Sequence, residues 1–136
     1  MVNKRSVATN RIVDRDELHD FIRPRHQGVL LTRRRDGWPQ SSLVTMGLDN
    51  SGRILVSSYP ERAKVANIGR NSHASVVVMS DEFNGEWVQA DASAEVLLLP
   101  DALDGLCDYF RVISGEHPDW NEYREAMTKQ GKCLIR

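Results

Sequence analysis

The chain is short of cysteine, of aromatic residues and of any surplus of charge, and each shortage excludes something. Its 136 residues hold two cysteines, Cys107 and Cys133. They lack the close spacing of a metal site or a redox pair, so no disulfide framework is expected. Cys107 falls on the apolar stripe of an expected helix, where a thiol behaves as a small core residue. Together the two point to a reducing, cytoplasmic setting. Lys and Arg number 18 against 19 Asp and Glu, a net charge of -1. That balance offers no field for wholesale nucleic-acid binding. No apolar run approaches the roughly 20 residues of a membrane helix; Val96-Leu97-Leu98-Leu99 is far too short. Met1 to Asn10 is polar and basic without an apolar h-region, so no signal peptide is expected.

Catalytic patterns are missing as well. His19, His26, His73 and His117 are scattered without metal-ligand spacing. There is no GxSxG elbow, no GxGxxG after a strand and no P-loop. Asp81-Glu82 belongs to a turn and reads as solvated. Asp91 lies inside a strand, where a polar residue on an open face is the simpler reading.

What is present is a strand-rich single domain. Residues 1–13 read as a loose arm and 14–136 as one domain. A chain of this length buries roughly two-thirds of its unfolded surface, enough for one core. Asp14 to Arg25 reads as a helix, with Leu18, Phe21 and Ile22 on one face and Pro24 at its end. Gly28 to Arg34 reads as a strand with Val29, Leu30 and Leu31 buried. Asp36-Gly37 is a hairpin signal, and Gln40 to Leu48 is the return strand with Leu43 and Val44 at its apolar centre. Arg53 to Ser58 follows after Asn50-Ser51-Gly52. A helix then opens at Pro60, a favoured first helical position, and ends near Gly69. Ala74 to Met79, Glu86 to Asp91 and Ala94 to Leu99 are three more strands. Pro100-Asp101 opens a helix carrying Leu103, Leu106, Cys107, Phe110 and Ile113. Asp119 and Glu122 have capping-box spacing before the stripe Trp120, Tyr123, Met127. Lys132 to Ile135 is the last strand. Hairpin-linked strands followed by helices predict a mainly β, α+β fold: an antiparallel sheet closed into a small barrel with helices outside.

One segment carries chemistry. Arg62 and Lys64 fall in the first turn of the helix after Ser57-Ser58-Tyr59-Pro60. A helix N-terminus bears about half a positive charge, so a cation there costs a few tenths of a kcal/mol. Glu61 offsets part of this. An anion would offset more, because free N–H groups, serine hydroxyls and two basic side chains converge. A phosphate cradle and a solvated basic turn both fit. The triplet Arg33-Arg34-Arg35 borders the hairpin turn, as a solvated corner or as a means of steering a polyanion. An anion site without an acid, base or nucleophile set suits a cofactor that performs the chemistry itself.

Three segments, in order, resemble one superfamily. Asp36-Gly37-Trp38-Pro39-Gln40-Ser41-Ser42 resembles the DGxPQxS hairpin of the pyridoxamine-phosphate-oxidase-like flavoproteins. Val56 to Asn67 resembles their VS…RAKxxN segment. Ser114 to Trp120, with Tyr123-Arg124 and Gln130-Gly131-Lys132, resembles an actinobacterial branch that includes users of deazaflavin F420 in place of FMN. The resemblance implies an FMN-binding type of split β-barrel, homodimeric, with two cofactor sites at the subunit interface. It implies that Arg62 and Lys64 hold the cofactor phosphate, and that Ser57 and Ser58 lie along one side of the cofactor. Gln40 and Ser42 match residues lining the ring pocket, and Asn67 matches an asparagine one turn beyond the lysine. Trp87 matches an aromatic position that reaches the pocket from the partner subunit; a plain core aromatic is the other reading. The implied activity is F420-dependent hydride transfer with a small unsaturated organic substrate. The alternatives are an FMN-binding oxidase or flavin reductase, or a non-enzymatic flavin- or F420-binding protein.

Two departures matter. The family usually continues RRDPR after the asparagine, whereas Gly69-Arg70-Asn71-Ser72-His73 stands here, which implies a less positive rim for an oligoglutamate tail. The family's last strand also normally runs on beyond Ile135-Arg136, so either a truncated chain or a barrel that closes differently is expected; a missing strand end would expose an edge for the dimer partner to cover.

Overall fold

The computed structural model describes residues 11–136. Most of the arm expected at 1–13 lies outside them; residues 11–13 belong to no regular element. Four helices and eight strands follow: α1 (Arg15–Ile22), β1 (Gln27–Arg33), β2 (Pro39–Thr45), β3 (Gly47–Leu48), β4 (Ile54–Ser58), α2 (Ala63–Arg70), β5 (His73–Met79), β6 (Trp87–Ser93), β7 (Val96–Leu97), α3 (Leu103–Ser114), α4 (Trp120–Gln130) and β8 (Cys133–Ile135). The strands form two four-stranded sheets, ordered β2-β1-β5-β6 and β3-β4-β8-β7. Every pairing is antiparallel. No helix among the described residues is long and apolar enough to cross a membrane.

Local chemistry sets the helix starts. Asp14 caps α1 by accepting from the Glu17 N–H at 2.8 Å, and Asp119 caps α4 by accepting from the Glu122 N–H at 3.1 Å. The box at α4 is half made: the Asp119 N–H donates to His117 Nδ1 at 2.9 Å rather than to the Glu122 side chain. α1 is shorter than its apolar pattern suggests, ending at Ile22.

The expected return strand 40–48 is two strands. The chain leaves the first sheet at Met46 and joins the second at Gly47. His26 holds this crossing, taking the Met46 N–H on its carbonyl at 2.8 Å and placing its Nδ1 2.9 Å from the Met46 carbonyl. Gly47 is required because α3 presses onto it; a Cβ there would overlap Val112.

Alternation within the strands corrects the expectation that Val29 and Leu31 are buried, and it sorts the other apolar runs by face. In β1 the buried set is Gly28, Leu30 and Thr32, while Val29 and Leu31 face outward. In β5, Ala74, Val76 and Val78 are buried and Val77 faces outward. In β2, Val44 is buried but Leu43 is 88% exposed. The inner residues of the first sheet meet Val56, Cys133 and Ile135 of the second, with Ile22, Val65 and Ile68 from α1 and α2, in one core. A second core, with Leu55, Leu106, Cys107, Tyr123 and Leu134, lies between the second sheet and helices α3 and α4.

The edge expected at the end of the chain is not found. β8 lies inside its sheet, with Ile135 paired to Val56 on one side and to Val96 on the other.

Candidate anion and cofactor site

Ser58 ends β4, and the chain turns at Tyr59–Arg62, closed by the Arg62 N–H on the Tyr59 carbonyl at 3.1 Å. Pro60 sits inside this turn, not at the first helical position expected for it. The helix begins at Ala63, with Arg62 as its N-cap residue. The shift leaves the electrostatics in place: the first turn holds Lys64 and no acidic residue, and no side chain caps it. The Val65 and Ala66 N–H groups donate to the Arg62 carbonyl at 3.1 and 3.2 Å, and those of Ala63 and Lys64 come before the first such bond.

A third cation joins from the far end of the chain. Gly131 adopts a left-handed conformation (φ 67°) that ends α4 and brings Lys132 beside β4. The Lys132 Nζ lies 4.1 Å from the centre of the Tyr59 ring, and the Arg62 guanidinium carbon lies 5.9 Å from it. Partial burial pushes the Lys64 ammonium below the ordinary lysine value; Arg62 adds to this and Lys132 contributes further. None of the three cations enters any of the eight ion pairs among the described residues. Lys132 was visible in the sequence only as part of a resembling segment, because nothing local links it to Arg62.

Ser58 and Ser57 part company. Ser58 lies opposite Cys133 in the sheet and is 4% exposed, and its hydroxyl has no hydrogen-bond partner. Ser57, as the next residue of a strand, points to the other face. There the neighbouring Tyr109 phenol, which donates to the Thr45 carbonyl at 2.9 Å, is pushed up by burial, and the nearby Ser57 opposes the shift. The two serine side chains therefore point to opposite faces of β4.

A polar network runs from α2 into the first sheet. The Asn67 Nδ2 donates to the Thr32 hydroxyl at 3.0 Å, and that hydroxyl donates to the Gln40 Oε1 at 3.2 Å. The Gln40 Nε2 donates to the Ser42 hydroxyl at 3.0 Å and to the Ser41 carbonyl at 2.7 Å. Arg70 donates to the Asn67 Oδ1. Thr32 and Asn67 are almost fully buried. Gln40, Ser42 and Asn67 thus belong to one bonded chain, whose other members, Thr32 and Arg70, the site prediction did not include. A polar residue on the inner rank of β1 was the available signal for Thr32.

Trp87 stands apart. It lies on the outer face of the edge strand β6, half exposed, opposite Met79. Two open hollows of about 750 and 810 Å³, lined by residues such as Arg25, Ser80 and Asp81, contain none of the eight residues singled out above. No cluster of three or more metal-ligating side chains occurs among the described residues.

A family model described as pyridoxamine 5'-phosphate oxidase matches residues 14–132. The chain belongs to that family. Solved structures agree on the fold. A conserved hypothetical protein of Mycobacterium tuberculosis superposes with a TM-score of 0.75 at 19% identity, over 99% of this chain and 84% of that one. An F420 reductase gives 0.62 at 18% identity, over 86% and 88%. HutZ, a heme storage protein from Vibrio cholerae, gives 0.66 at 19% identity, over 89% and 86%. Within the pyridoxamine 5'-phosphate oxidase family, this chain places three cations outside any ion pair among the described residues around the start of α2. That donor set fits a cofactor phosphate.

Proposed function

We propose that this member of the family binds a phosphate-bearing flavin-type cofactor, F420 in the first place and FMN as the alternative. On this reading it is an oxidoreductase that passes a hydride between the cofactor and a small unsaturated organic substrate. The observation that carries the proposal is the cationic group Arg62, Lys64 and Lys132 at an uncapped helix start, without a carboxylate partner. Such a group is stabilised by an anion and destabilised without one.

When bound, the cofactor supplies the redox chemistry. Arg62, Lys64 and the first-turn amides of α2 hold its phosphate, and Lys132 closes the cluster. Gln40, held by Thr32 and Ser42, would line the ring pocket, with Asn67 holding Thr32 in place. A ring held by these residues would be fixed in orientation for a substrate docked beside it. Titration with F420 and with FMN, followed by tryptophan fluorescence, tests the reading. Saturation by F420 alone supports the leading form, saturation by FMN alone moves the assignment to FMN, and no saturation by either removes it. Turnover of reduced F420 with candidate enones then separates a reductase from a carrier.

We also propose that the two sheets close as a split barrel and that the protein works as a homodimer. The strands of the first sheet carry apolar residues on both faces: Val29, Leu31, Leu43, Val77, Met79 and Trp87 line the outer one. Antiparallel strands with one solvated face alternate apolar and polar residues, so a run apolar on both faces reads as a sheet covered on both. A second copy provides that cover and brings its Trp87 toward this chain's site. Leu43→Asp, at a position 88% exposed in the single chain, is expected to convert the dimer to a monomer in light scattering and to cost cofactor affinity. A variant that stays dimeric would take this face out of the interface.

A further inference from the structure

A second group of cations stands at the β1–β2 hairpin, away from Arg62 and Lys64. Arg33, Arg34, Arg35 and Gly37 line a cleft of about 580 Å³ together with Arg70 and Asn71 from the end of α2. We propose that this cleft is a binding site for a small polyanion: a phosphate or polycarboxylate group carrying at least two negative charges. The proposal is independent of the cofactor assigned above.

A run of three arginines at a turn is ordinarily a solvated corner. Here a fourth arginine, Arg70 from a separate element, lines the same cleft, which a purely solvated corner does not require. Only Arg34 has a carboxylate partner, Asp36 at 2.5 Å. Arg33 donates to the Gly37 carbonyl at 3.3 Å and Arg70 to the Asn67 side chain, both uncharged acceptors. Arg35 enters none of the ion pairs among the described residues. Three positive charges therefore share the cleft without compensation.

The hairpin is held rigidly enough to present them. The Gly37 N–H donates to the Arg34 carbonyl at 3.0 Å, and the Arg34 N–H to the Trp38 carbonyl at 2.9 Å. The Trp38 N–H donates to the Asp36 carboxylate at 3.0 Å, and Gly37 takes a φ of 85° that favours glycine. Guanidinium forks match phosphate and carboxylate oxygens in pairs, which suits arginine over lysine for this task.

The cleft is distinct from the cluster at Arg62 and Lys64. α2 has eight residues and is about 12 Å long, and the two groups of cations stand at its opposite ends. One phosphate cannot touch both. At the helix C-terminus the carbonyls repel an anion, so binding there depends on the guanidinium groups themselves. Through Arg70 and Asn67 an occupant would bear on Thr32 and Gln40.

Backbone NMR titration with inorganic pyrophosphate at low salt, without cofactor, tests this. Saturable shifts are expected at residues 34–37 and 70–71, separate from any shifts at 62–64. Arg35→Ala removes an exposed side chain outside the polar network, and it should weaken the first set about fivefold or more while leaving the second unchanged. Absence of saturation at 34–37 and 70–71 at millimolar pyrophosphate, or equal affinity in Arg35→Ala, would overturn the proposal. Adding F420, with its carboxylate tail, distinguishes the sources. Displacement of pyrophosphate from the cleft by F420 but not by FMN assigns the cleft to the tail of the cofactor. Retention of pyrophosphate beside F420 assigns it to a separate ligand.

Discussion

Lys64→Ala is expected to weaken binding of the phosphate-bearing cofactor by about 1.5–3 kcal/mol, the scale of a hydrogen bond to a charged group, or roughly 10- to 150-fold. Fluorescence titration of the variant beside the parent measures it. The ammonium has no carboxylate partner, and two other cations crowd it. Removing it therefore breaks no native ion pair and relieves like-charge repulsion, so the unliganded melting temperature should hold or rise. A large affinity loss with undiminished stability is the signature of a ligand-binding cation. An unchanged affinity would remove Lys64 from the site.

The sign of the pH dependence follows from the same shift. Folding lowers the Lys64 pKa below its ordinary value of 10.5. The unfolded chain then holds that proton more tightly, so this group adds stability to the unliganded protein as pH rises through the window below 10.5. Cofactor affinity runs the other way: it should start to fall at a lower alkaline pH than an ordinary lysine would give. It should also fall with added salt, since screening weakens the attraction to the phosphate.

The second large effect is on stability. Asn67→Ala should cost about 2–4 kcal/mol in urea denaturation, combining a lost buried hydrogen bond, unsatisfied partners and a small void. Asn67 is 3% exposed, and its Nδ2 donates to the hydroxyl of Thr32, itself 1% exposed. Truncation leaves that hydroxyl one partner short and removes the acceptor of Arg70. It also frees Gln40, so affinity for the cofactor should drop along with stability. Ser42→Ala, at the half-buried rim of the same chain of bonds, should cost much less. A loss below about 1 kcal/mol for Asn67→Ala would mean that water takes over its partners.

The element types were largely legible because they rest on local chemistry. The Asp14 and Asp119 caps, the turn at Asp36-Gly37 and the apolar runs of β1, β4 and β5 each lie within a few residues of sequence. Errors arose where two local signals competed. Pro60 suited a first helical position and a turn equally, and the turn prevailed because β4 must reverse before α2 can lie on the sheet. The run 40–48 looked unbroken, since nothing local marks the passage of Met46 from one sheet to the other. The sequence expectation that Val29 and Leu31 are buried fails because a run apolar on both faces carries no alternation by which to orient it.

By itself the sequence determined a strand-rich chain with helices after its last hairpins, and a basic pair at the start of a helix. It also determined the resemblance that the family match bears out. The tertiary structure alone decided that Lys132 joins Arg62 and Lys64, that Asn67 reaches Thr32 across 35 residues, and that Arg70 lines one cleft with the hairpin arginines. It also turned Ser58 inward and Ser57 away. The division has one physical cause. Caps, turns and periodicity are set by neighbours along the chain, whereas a binding site is a meeting of side chains that only strand register and helix packing bring together.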